Sequence, residues 1–207
     1  MVNIGGIANV TLLAADGGVL GFDTGPGNCL LDAWSRRHLD QAYDAKGAWA
    51  ASGTAHSALL ERLLAEPYFA RTAPKSTGRE TFSDSWLERA LAGLSVAPVD
   101  VQATLCELTA RSIASAIAVA AGSVPKGVLV CGGGAFNGDM MARLRLALPH
   151  SRVETTASCG IAPEHVEAAG FAWLAYRYVC DLPGNLPSVT GAGSLVPLGA
   201  LYRGVLV

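Results

Sequence analysis

A chain of 207 residues, 15 basic and 17 acidic, can bury a substantial core in one or two domains but carries no basic stripe for nucleic acid and no like-charged tail. Its mean hydropathy is positive, yet the most apolar stretch, Ile113 to Val124, is shorter than the roughly 20 residues of a membrane span. No basic region precedes the apolar N-terminal residues, so no signal peptide is expected. Small residues, and surface awaiting a partner, account for the hydropathy.

Val2-Asn3-Ile4 reads as a strand that starts almost at once, the mark expected of a fragment or dissected domain. Gly5-Gly6 is a tight turn and Ala8 to Ala14 a second strand. Asp16-Gly17-Gly18 tolerates positive φ and makes a hairpin to a third strand, Val19 to Phe22. That strand is expected to end at Asp23, with Thr24 to Asn28 as a loop and Cys29 to His38 as a helix. Residues 39–94 read as an insertion, with a polar loop at Asp44 to Gly47, helices over His56 to Ala65 and Ser83 to Ala92, and a loop from Pro74 to Glu80. Asp100 is expected to cap a long helix to about Ala121, on which Glu107 and Arg111 pair. Gly127 to Cys131 is an apolar strand closed by Gly132-Gly133-Gly134. A helix from Asn137 to Leu148, a strand over Arg152 to Thr155 and a helix from Glu164 to Val179 follow. The Pro- and Gly-rich tail from Pro183 is expected to wrap the surface.

Three meandering strands followed by alternating helices and strands predict an α/β fold, a mixed sheet flanked by helices. This is the pattern of the ribonuclease-H-like half-domain of actin, hexokinase and heat-shock chaperones, here with a helical insertion; by itself it assigns no function.

The five cysteines, Cys29, Cys106, Cys131, Cys159 and Cys180, are dispersed and form no C-x-x-C pair, so reduced thiols in a cytoplasmic protein are expected rather than disulfides or zinc. The four histidines show no metal-binding spacing and read as surface or helix-end residues; no metal site is predicted.

Gly5-Gly6, with Asn9 just after, is either a phosphate-cradling turn or an ordinary hairpin. Gly132-Gly133-Gly134 follows a strand and precedes a helix, where open α/β sheets bind ligands, but it fails the Rossmann pattern and also fits a close-packing turn. Asp23, beside Thr24, Gly25 and Asn28, can accept a proton from a hydroxyl or water, or serve as a turn or cap residue. Glu167 sits on a largely apolar helix and either points to solvent or has a function.

Seven segments in order resemble the anhydro-N-acetylmuramic acid kinases: VNIGGIANVT (2–11), GFDTGPGN (21–28), YDAKGAWAASG (43–53), PKSTGRE (74–80), DVQATL (100–105), VCGGGAFN (130–137) and LPGNLPSVTGA (182–192). The resemblance implies a peptidoglycan-recycling kinase that uses ATP, Mg2+ and water to open the 1,6-anhydro ring of anhydro-N-acetylmuramic acid and phosphorylate O6. It further implies Asp23 as the base for the attacking water, with Glu167 beside it. Gly5, Gly6 and Asn9 would meet the phosphates, and Gly132, Gly133, Gly134 and Asn137 the nucleoside. Thr24, Gly25 and Asn28 would face the sugar, with Lys75, Thr77 and Arg79 as further candidates. The whole of 1–207 would be the second domain of a two-domain, homodimeric, cytoplasmic enzyme. The first domain, with its Gly-Thr-Ser-x-Asp-Gly phosphate loop, has no counterpart in these residues, so a module that binds nucleotide or a partner without turnover is the alternative. Cys29, Cys106 and the end from Arg203 depart from the family pattern.

Overall fold

The computed structural model describes residues 1–122 and 124–202; the divergent end from Arg203 lies outside them. Val2–Ile4 (β1), Ile7–Leu13 (β2) and Val19–Pro26 (β3) form an antiparallel meander. Its hairpin closes where Asp16 Oδ1 accepts from Gly18 N at 2.9 Å and Gly18 O accepts from Ala14 N at 2.8 Å. Gly127–Cys131 (β4) adds parallel to β1, and Arg152–Thr155 (β5) parallel to β4, giving the order β3-β2-β1-β4-β5.

Alternation sorts the sheet's faces. Val2, Ile4, Ala8, Val10, Phe22, Val128, Val130 and Val153 are buried, whereas Asn3, Asn9, Thr11 and Asp23 are half-buried. The helices are Cys29–Leu39 (α1), Ala48–Ser52 (α2), Ser57–Leu64 (α3), Asp84–Leu91 (α4), Pro98–Ala121 (α5), Gly138–Ala147 (α6), Val166–Val179 (α7) and Pro187–Thr190 (α8). Helix α5 packs on β2, β3, α1, α2, α3 and α6, so sheet and insertion share one core. Tyr68, Phe82 and Trp86 extend that core under the insertion through edge-on ring contacts of 5.8 and 5.2 Å.

Four expectations need correction. Strand β3 runs on through Thr24-Gly25-Pro26 instead of ending before Asp23. A bulge between Ala8 and Asn9 lets Gly25 and Pro26 keep pairing with Ala8 and Ile7. The supposed polar loop leads into α2, because both carboxylate oxygens of Asp44 accept at 2.9 Å from the Trp49 and Ala50 amides. Helix α5 starts at Pro98, whose fixed φ suits a first turn, and Asp100 instead accepts from Thr54 N at 2.7 Å. The apolar stretch from Ile113 belongs to this 24-residue helix, which is long and apolar enough to cross a membrane but buries residues from Val101 to Ile117 in the core. The tail does wrap: α8 returns to β3, with Val189 against Gly21.

Candidate functional site

The Gly5-Gly6 turn is bound to the start of α1 through its carbonyls. Gly5 O accepts from Asn28 N at 2.8 Å and from Asn28 Nδ2 at 3.1 Å, and Ile4 O accepts from the same Nδ2 at 3.0 Å. Gly6 O accepts from Gly27 N at 2.9 Å and Cys29 N at 3.0 Å. The helix's first amides are therefore engaged by the turn. Among the described residues, no group outside the strand ladder accepts from the Gly5 or Gly6 amides. Arg79 lies over the turn: a Cβ at Gly6 would meet its Nη2 at 2.8 Å. Glycine here makes room for a guanidinium beside two open amides, a combination suited to an anion.

Across the strands runs a polar row. Register places Cys131 beside Asn3, Asn3 beside Asn9, and Asn9 beside Asp23. Asp23 is held on three sides. Its N–H donates to Lys75 O at 3.0 Å, its carbonyl accepts from Tyr68 Oη at 2.7 Å, and Oδ2 accepts from Thr77 N at 3.0 Å. The other carboxylate oxygen takes no hydrogen bond among the described residues, so a fixed carboxylate keeps one oxygen available as a proton acceptor. The Tyr68 phenol is pushed up to about 12 by burial and by the Asp23 charge.

At the row's other end, Gly132 adopts φ +77° and donates to Pro163 O at 3.2 Å. A Cβ there would collide with the Asn3 side chain, and one at Gly134 with Ile4, so both glycines serve close packing on β1. Gly133 instead opens onto a cavity of about 360 Å³ lined by Asn28, Leu31, Asp32, Tyr43, Asp44, Lys46, Phe136 and Asn137. Burial pushes the Asp32 carboxyl up, and the Arg36 and Arg79 guanidiniums offset part of this. Asn137 is buried; its Oδ1 caps α6 by accepting from Met140 N at 2.9 Å and abuts Gly47, holding the insertion's Lys46-Gly47 turn over the cavity.

Glu167 lies exposed in the first turn of α7. Burial raises the Cys131 thiol, and the nearby Glu167 carboxylate adds to this against the pull of the N-terminal amine. Glu167 thus stands at the Cys131 end of the row and Asp23 at the other. Thr24 and Gly25 are not gathered with them. Both are buried; Thr24 Oγ1 donates to Ala8 O at 3.2 Å and lines a separate groove with Phe22, Phe69 and Ser112. Lys75 is engaged too, its ammonium donating to the Tyr68 and Phe69 carbonyls at 3.1 Å. Asn3 escaped the sequence reading, although its alternation with Val2 and Ile4 marks it for the same face as Asn9 and Asp23.

Residues 1–204 match the family model for anhydro-N-acetylmuramic acid kinase. This chain belongs to the anhydro-N-acetylmuramic acid kinase family. It is 52% identical over 203 residues to the anhydro-N-acetylmuramic acid kinase of Pasteurella multocida (strain Pm70), covering 98% of this chain and 54% of that relative. It is 55% identical over 206 residues to the one of Burkholderia vietnamiensis, covering 97% and 54%. The chain therefore spans about half the length of the curated family members it matches. A solved structure, the activator of the 2-hydroxyisocaproyl-CoA dehydratase from Clostridium difficile with bound ADPNP, superposes with a TM-score of 0.51 at 14% identity, over 79% of this chain and 54% of that one. That likeness concerns the fold alone, which is the ribonuclease-H-like architecture of the actin and hexokinase type.

Proposed function

We propose that this chain is the second domain of a two-domain sugar kinase that opens the 1,6-anhydro ring of anhydro-N-acetylmuramic acid with water and phosphorylates O6 at the expense of ATP. Family membership supports the reaction class. The observation that carries the site is Asp23, anchored through Oδ2 and its backbone while its second oxygen is open. That oxygen would take a proton from the attacking water, with the Thr77 amide holding the carboxylate in place. Glu167 would face the sugar from the far end of the row.

The open amides of Gly5 and Gly6, with Asn9 beyond them, would meet phosphate oxygens under Arg79. The nucleoside would enter the cavity at Gly133, between the half-exposed Phe136 ring and Tyr43. These features fit a nucleoside triphosphate, which supplies the phosphoryl group when bound. Among the described residues no three His, Cys, Asp or Glu side chains cluster as a metal cage, and Mg2+ in phosphoryl transfer is held largely by substrate phosphates. A cytoplasmic location and a homodimeric assembly go with this reading.

The competing reading is a module that binds nucleotide without turnover. Purified residues 1–207 should bind an ATP analogue by calorimetry yet phosphorylate no sugar, because phosphoryl transfer depends on positioning and charge stabilisation from both walls of a cleft. Joined to the remaining segment of a family member, the chain should turn over. A joined enzyme that binds nucleotide but never turns over would favour the module, and turnover by the isolated chain would refute the division of labour.

A further inference from the structure

Helix α7 has no buried residue, although it is one of the most apolar segments of the chain. One side is in use. Leu174 and Tyr178 pack on the returning tail at Gly184 and Gly199, and Arg177 Nε donates to Pro183 O at 2.7 Å. At 100° per residue, Ala168, Ala169, Phe171, Ala172, Trp173, Ala175, Tyr176 and Val179 fan over the rest of the helix. The four large members are 72% (Phe171), 52% (Trp173), 61% (Tyr176) and 78% (Val179) exposed. No charged residue occurs from Ala168 to Tyr176. The tail is fastened at its far end by α8 on β3, so α7 cannot roll this face inward.

We propose that this face of α7 is the seat of the other half of the kinase, the segment that makes up the remainder of the relatives' length. The proposal rests on the two-domain reading above. Three observations select that occupant. The chain matches its relatives along 97–98% of itself but only 54% of them, so nearly half of their length must pack somewhere on these residues. The helix grows out of the site: Gly132 N donates to Pro163 O just before it, and Glu167 opens its first turn beside Cys131. A body seated on α7 therefore stands over the half-exposed row of Asn3, Asn9 and Asp23 and supplies its missing wall. The face is large, aromatic and uncharged, as in permanent interfaces rather than passing contacts.

The test co-expresses residues 1–207 with the segment of the Pasteurella multocida relative that lies outside the match, and reads association by size exclusion with light scattering. Wild type should elute as a one-to-one complex, and the triple variant Phe171→Ser/Trp173→Ser/Tyr176→Ser should bind at least tenfold more weakly. The three side chains are exposed in the free chain, so its melting temperature and ATP-analogue affinity should be unchanged. That nucleotide titration separates the two ideas: loss of nucleotide binding in wild type would sink the proposed function without touching this interface. The interface proposal fails if wild type does not associate, if the variant associates as tightly as wild type, or if the variant instead dissolves a homodimer of this chain.

Discussion

Asn28→Ala removes both side-chain hydrogen bonds that tie α1 to the first glycine turn, to Ile4 O at 3.0 Å and to Gly5 O at 3.1 Å. Gly5 O keeps its bond from Asn28 N at 2.8 Å, so the loss is two neutral bonds of about 0.5–1.5 kcal/mol each, or about 1–3 kcal/mol together. For a chain of this size that lowers the melting temperature by roughly 2–4 °C per kcal/mol, so a drop of about 4–8 °C is expected for a loss near the middle of the range. Asn28→Asp sharpens the test. Asn28 precedes α1 but makes no side-chain cap, and its role is to donate. A capping role would let Asp substitute freely; a donating role sets an acceptor-only carboxylate against two carbonyl oxygens. Its folded pKa would rise above the unfolded value of about 3.9. The penalty is then small at low pH, where the protonated acid can still donate, and grows as pH rises through the unfolded pKa to the folded one. Thermal melts of the three proteins from pH 3 to 8 read this directly. An Asn28→Asp protein as stable as wild type at pH 7, or an Asn28→Ala midpoint within a degree of wild type, would refute the argument.

Asp23→Asn in the reconstituted kinase should lower turnover at least about a hundredfold, the lower range for a lost general base. ATP-analogue affinity should hold, since Asn can still accept from Thr77 N; near-normal turnover in the folded variant would remove Asp23 from the mechanism. Burial alone would raise the Glu107 carboxyl, but hydrogen bonds from Arg143 at 2.8 Å and from Arg111 outweigh it and hold the pKa below its ordinary value. Its contribution is therefore present above the unfolded pKa of about 4.3 and lost as pH falls through the folded one. Glu107→Gln should cost about 1 kcal/mol at neutral pH, with melting curves that converge on wild type in acid; a gap that persists at pH 3 would contradict this. Alkylation followed by mass spectrometry should label the exposed Cys159 and Cys180 first and Cys106 only on unfolding, because burial and then Asp139 push the Cys106 thiol far up. A stable disulfide, or fast labelling of Cys106, would count against that environment.

Much of the framework follows from local chemistry. Asp16-Gly17-Gly18 closes a hairpin wherever two apolar runs flank it, and Asn137 starts α6 because its side chain caps the third amide onward. What escaped depends on partners distant in the chain. Gly25 and Pro26 read as loop residues, and only the bulged register against Ile7 and Ala8 makes them strand. Helix α2 is too short to show periodicity and owes its start to the Asp44 carboxylate. The candidate site divides in the same way. Asp23 and the glycine runs were legible as motifs, but the placement of Arg79 over Gly6 joins residues more than seventy positions apart. Thr24 and Gly25 read as neighbours of Asp23, yet strand geometry buries them away from its open oxygen.

Strand β3 ends the sheet, and its outer rim is occupied at Asp23 by Tyr68 Oη and Lys75 O, both contributed by the insertion. An unoccupied rim of this kind is a template on which other chains can add strands. The segment from Leu39 to Leu94 therefore does more than shape a cavity: it keeps the protein soluble while it works. Shortening it to a tight connection, as a minimal kinase design would suggest, leaves an unpaired amide and carbonyl facing water beside the most functional residue of the strand. Such a trimmed protein should form intermolecular sheet, and the first casualty of that association would be access to Asp23.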